Sequence, residues 1–148
     1  MLTQAGVPVD DLAGLSGKQT TTTTIDFGRI DLPGIALYLF GTPGQARFHV
    51  LWDDLVRGAL GALVLVDTHP RRFEGVWPVL DLVESSGIRY AVAVNRFDDA
   101  PKHTLEYVRD RLDLESRTPV VSCDARDRVS SRAALITLME HIRELVLT

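Results

Sequence analysis

The chain has 148 residues, enough for one domain with a single sizeable core and too few for two. Hydrophobic residues at 45% and charged residues at 24% give the balance of a soluble globular protein, which excludes a disordered or membrane-embedded chain. A formal net charge of −4 leaves no basic excess to neutralise phosphates, so a nucleic-acid partner is not expected.

Residues 1–17 show no sustained period and read as an irregular N-terminal segment. They lack a basic, then apolar, leader pattern, and Cys123 is the only cysteine, which suits a reducing cytoplasm. The threonine run through Ile25 favours extended chain, because β-branched side chains crowd a helix. Leu32-Pro33-Gly34-Ile35 is a turn, with proline presetting φ and glycine taking positive φ, so 22–40 is expected to form a β-hairpin. After a Gly-Thr-Pro-Gly loop, Leu51, Trp52, Leu55, Val56 and Ala59 recur at helical spacing. Ala59 to Val66 is far shorter than a membrane span, and Ala62 to Val66 reads as a buried parallel strand. Phe73, Val76, Trp77, Leu80 and Val83 share a helix face, with Gly87 at the C-cap position. Tyr90 to Val94 is a second buried strand, and Leu105, Val108 and Leu112 mark a third helix. Pro119 to Ser122 is a short strand, and Leu135, Leu138, Met139, Ile142 and Val146 mark a long final helix.

A hairpin followed by alternating helix and strand predicts an α/β layer fold with a mostly parallel sheet. In such folds ligands bind at the carboxyl ends of the strands. That rule singles out the loops 41–47, 95–98 and 122–126. Asn95-Arg96-Phe97-Asp98 follows directly on a buried strand, and a carboxylate at Asp98 can accept from both N1–H and the N2 amine of guanine. Adenine offers no such donor pair, so this site would reject it. Alone, the tetrapeptide reads more readily as an Asx-rich turn, and a second such loop at the adjacent strand end shifts the balance toward guanine. Ser122-Cys123-Asp124-Ala125 ends the next strand, where backbone N–H groups can donate to guanine O6.

Gly41-Thr42-Pro43-Gly44-Gln45-Ala46-Arg47-Phe48 resembles the switch II sequence of Ras-like GTPases. The resemblance implies that Gly44 donates its N–H to a γ-phosphate and that Gln45 is the catalytic residue orienting the attacking water. Gly41 stands where that family has the aspartate that holds Mg²⁺ through water. The run Thr22-Thr23-Thr24-Ile25-Asp26-Phe27 resembles switch I, which implies Thr22 as a nucleotide contact and Mg²⁺ ligand. The chain thus resembles the small GTPases over about residues 18–146, and the actinobacterial conservon-type GTP-binding proteins more closely. The implied fold is a three-layer Ras-like P-loop NTPase, with 18–148 as a partial G domain. The implied ligands are GTP or GDP with Mg²⁺. Arg96 replaces the usual lysine, and its stem can still lie along the purine. A roadblock/LC7-type protein and a sensor-kinase-like protein are the partners the resemblance implies.

The phosphate cradle of that fold is missing from the sequence. Gly17-Lys18 is followed by Gln19 rather than serine or threonine, and Leu12 stands where the motif needs its first glycine. The first strand, P-loop and first helix are absent as one block, so the reading frame is expected to begin about 35–50 residues before Met1. With that block supplied the expected function is a GTP-hydrolysing molecular switch. Without it, the alternative is a pseudo-GTPase serving as a nucleotide-independent interaction module. A phosphoryl-accepting receiver domain needs an acidic pair at strand ends, and Asp67 alone stands at such a place.

Overall fold

A computed structural model describes residues 26–41 and 49–146. Thr22, Gly44 and Gln45 lie outside the described residues, as do the rest of the threonine run and the 42–48 loop. The chain divides into two compact units, Met1–Phe48 and His49–Thr148.

The described part of the first unit is an antiparallel hairpin of β1 (Asp26–Leu32) and β2 (Ile35–Gly41). Its register runs from Leu32 opposite Ile35 to Asp26 opposite Gly41. Gly34 has φ of 78°, the positive value that this turn demands of the residue after proline. Phe27 faces Phe40 across the strands with ring centroids 5.2 Å apart, and stacks on Tyr38 at 5.9 Å. Cross-strand aromatic pairs of this kind hold the register.

The second unit carries a parallel sheet of β3 (Gly61–Asp67), β4 (Arg89–Asn95) and β5 (Val120–Cys123), in that spatial order. Its helices are α1 (His49–Arg57), α2 (Pro70–Phe73), α3 (Trp77–Ser86), α4 (Leu105–Arg111) and α5 (Arg128–Val146). Alternation along the strands decides which helices pack where. Val64, Val66, Tyr90, Val92 and Val94 form one buried cluster with Leu80 and Val83 of α3 and Val108 of α4. On the opposite face Ala93 and Cys123 pack with Ala134 of α5, flanked by Leu63 and Val121. The central strand β4 is therefore covered on both faces, which explains why it reads as an uninterrupted apolar run. This is an α/β architecture consistent with a P-loop-like fold.

Boundaries shift for identifiable reasons. The expected single helix from Phe73 to Val83 is instead α2, a 3₁₀ turn at Glu74–Val76, and α3. Pro78 has no N–H to give the Glu74 carbonyl, and Trp77 N–H donates to it in the tighter 3₁₀ manner. The first helix stops at Arg57, short of Ala59, whose N–H turns back to the Val56 carbonyl at 3.1 Å. Gly87 caps α3 in the left-handed region with φ of 71°. Thr104 caps α4, its side-chain oxygen accepting the Tyr107 N–H at 3.1 Å.

Candidate functional site

Register places Asp67 opposite Asn95 and Asn95 opposite Cys123, so the last residues of all three parallel strands form one row. Every loop leaving that row departs from the carboxyl edge, where α/β sheets bind ligands.

Asn95 is 8% exposed, and burial of an amide requires a partner. Its Oδ1 accepts the Ala125 N–H at 2.9 Å, tying the end of β4 to the loop after β5. The neighbouring amides of that loop are also committed. Asp124 N–H donates to Ser130 Oγ at 2.9 Å, and Arg126 N–H donates to Asp124 Oδ1 at 3.0 Å. The loop is thus preorganised by side chains, and an O6-like acceptor would have to share or replace Asn95 at the Ala125 amide. Cys123 is buried among Ala93 and Ala134, so its side chain packs and its backbone serves. Its carbonyl accepts the Arg96 N–H at 2.8 Å.

Arg96 ties its own loop to the end of β5 by its side chain. Nε donates to Ser122 Oγ at 2.8 Å and NH1 to the His103 carbonyl at 3.0 Å. The Asp98 side chain is 90% exposed at the mouth of an open cleft of about 590 Å³. Arg96, Phe97, Lys102, His103, Asp124 and Arg126 contribute to its walls.

Seven of the site residues expected from sequence therefore come together: Asn95, Arg96, Asp98, Ser122, Cys123, Asp124 and Ala125. Sequence reasoning passed over Arg126, which the structure puts between the two loops. Its NH1 meets Asp98 Oδ2 at 3.2 Å, while NH2 meets Asp124 Oδ2 and Nε meets Oδ1, both at 3.0 Å. Those bonds to Arg126 hold the Asp124 carboxyl below its ordinary range, and Asp124 and then Asp98 raise the guanidinium. The signal was the string Asp124-Ala125-Arg126 at a strand end, a cation spaced to reach two loops.

Asp67 and Thr68, at the end of β3, face the same region. Asp67 pairs with Arg72, and Thr68 Oγ1 donates to the Pro101 carbonyl at 2.9 Å. Among the described residues no cluster of three or more His, Cys, Asp or Glu side chains could hold a metal ion. No described helix is long and apolar enough to cross a membrane.

Residues 1–145 match the family model described as a conserved hypothetical ATP binding protein. An uncharacterized protein of Methanocaldococcus jannaschii is 32% identical over 77 residues, which is 52% of this chain and 50% of that relative. The chain spans about half the length of the curated relative it matches.

Proposed function

We propose, since the chain belongs to the family of conserved hypothetical ATP binding proteins, that it binds a purine nucleotide and that the base it takes is guanine. The observation that supports guanine is the pairing of a buried Asn95, which holds the Ala125 amide, with an exposed Asp98 carboxylate three residues on. A carboxylate accepts two bonds from the N1–H and N2 amine of guanine. Facing adenine it meets a bare N1 lone pair, and that mismatch carries the discrimination. Arg126 and the Arg96 stem offer cationic and apolar surface for the flat base beside it.

On this reading the protein is a Ras-like molecular switch of the conservon type in a bacterial cytoplasm. GTP and Mg²⁺ would order the segments that contain Thr22, Gly44 and Gln45, and hydrolysis would release them. Roadblock/LC7-type and sensor-kinase-like proteins would receive the signal. A second reading, a pseudo-GTPase, draws on Gly41. This residue closes β2 where a Mg²⁺-holding carboxylate would be needed.

The test is titration of the chain with fluorescent GDP, using ATP as competitor and Asp98→Ala as control. Guanine recognition predicts saturable binding that excess ATP leaves in place and that Asp98→Ala weakens about 10²-fold. Binding displaced equally by ATP and GTP would overturn the guanine assignment. A folded chain that binds neither would leave the interaction-module reading.

A further inference from the structure

The segment from Arg96 to Thr104, which carries Asp98, has little backbone bonding of its own. Arg96 N–H reaches Cys123, Ala100 N–H reaches the Phe97 carbonyl at 3.3 Å, and Thr104 begins a helix cap. Side chains supply the rest. Thr68 holds Pro101, Arg96 holds His103, and Arg72 grips the two neighbours of Asp98. Its NH2 lies 3.2 Å from both Asp99 carboxylate oxygens, and its guanidinium carbon stands 5.4 Å from the centre of the Phe97 ring. Arg72 is in turn anchored through Nε to Asp67, the last residue of β3. Asp67 is itself oriented, its other oxygen accepting the His69 N–H at 2.9 Å.

Resting on the guanine reading, we propose that Arg72 is the positioning residue of the base-reading loop. It transmits the fixed end of β3 through Asp67 to Phe97 and Asp99, and so sets where the Asp98 carboxylate stands. Isolated exposed ion pairs contribute little. Here one rigid planar group makes three contacts at once, and its anchor Asp67 is 19% exposed. Lysine could keep the charge but could not reach Asp67, Asp99 and the Phe97 ring together.

The experiment compares the full chain with Arg72→Ala, Arg72→Lys, Asp98→Ala and the Arg72→Ala/Asp98→Ala double variant, titrated with fluorescent GDP and a fluorescent ATP analogue. A positioning role predicts that Arg72→Ala weakens GDP about tenfold, leaves the adenine nucleotide unchanged, and costs nothing further once Asp98 is gone. Arg72→Lys should not restore the wild-type guanine preference. Equal losses for both nucleotides, or the same loss with and without Asp98, would overturn the proposal in favour of general destabilisation. If the wild type shows no guanine preference, the base assignment is what has failed. The positioning role is then read from amide exchange in the nucleotide-free chain. Ala100 should exchange at least about tenfold faster in Arg72→Ala while the core amide of Val92 is unchanged. Unaltered exchange at Ala100 would overturn it.

Discussion

Gly61→Ala tests how tightly β3 is seated against its neighbours. A Cβ at this position would lie 2.7 Å from Ile142 Cδ1 and 2.9 Å from the Arg89 carbonyl oxygen. Apolar carbons rest at roughly 3.5–4.0 Å, so the Ile142 methyl must retreat by about 1 Å. The carbonyl has less freedom, because Gly61 and Arg89 are register partners at the start of the β3–β4 ladder. Overpacking of this kind costs about 1–3 kcal/mol. Removing glycine from a strand returns about 0.5–1 kcal/mol by reducing the freedom of the unfolded chain. The net expectation is a loss of about 1–2 kcal/mol, or a melting temperature lower by about 2–8 °C for a chain of this size. Urea denaturation of wild type, Gly61→Ala, and Gly61→Ala with Ile142→Val would measure it. The double variant should recover only part of the loss, since trimming Ile142 relieves one contact and leaves the carbonyl. Gly61→Ala as stable as wild type would refute the geometry.

Three further outcomes follow from other contacts. Asn95→Ala removes the buried amide that holds the N–H of Ala125, an exposed residue whose donor water can partly satisfy, and should cost about 0.5–1.5 kcal/mol in urea denaturation; no measurable change would show that the loop does not depend on it. Burial, aided by the 2.6 Å bond to Glu84, pushes the Tyr90 hydroxyl up to about 12. Because the folded value lies above the ordinary 10.0, this contribution is complete below pH 10 and is lost as pH rises through 12. The stability difference between wild type and Tyr90→Phe should therefore shrink across that interval, as denaturant midpoints would record. Thr104→Ala removes the cap of α4 and should lower stability by about 1 kcal/mol, whereas Thr104→Ser should retain most of it.

The sequence was most readable where one local rule decided the outcome. Pro33-Gly34 makes a turn whatever surrounds it, and Gly87 ends α3 because glycine adopts positive φ without a Cβ clash. Tyr90 to Val94 had to be an interior strand, since a chain apolar on both faces needs cover on both faces. Asn95 and Asp98 were visible because they sit beside each other on the chain. Arg126 and Arg72 were not, because their partners are distant: Arg126 meets Asp98 across 28 positions and Arg72 meets Asp99 across 27. No window of periodicity contains such a pair. Pro78 carries its signal openly, but the apolar spacing around it favours a continuous helix, and the missing N–H prevails.

The bridge that Arg126 makes from Asp124 to Asp98 has a kinetic consequence. Arg126 occupies one acceptor position on Asp98 Oδ2, so a base that uses both carboxylate oxygens competes with it there, and opening of this exposed ion pair eases capture. Arg126 is 61% exposed and Asp98 90%, so dissolved salt screens that pair readily. Higher ionic strength would then raise the fraction of open sites and quicken entry of the base. It would also weaken the pull of any basic surface on the phosphates. The two effects act on opposite ends of one ligand, so a free guanine nucleoside and its triphosphate should respond to salt with opposite sign.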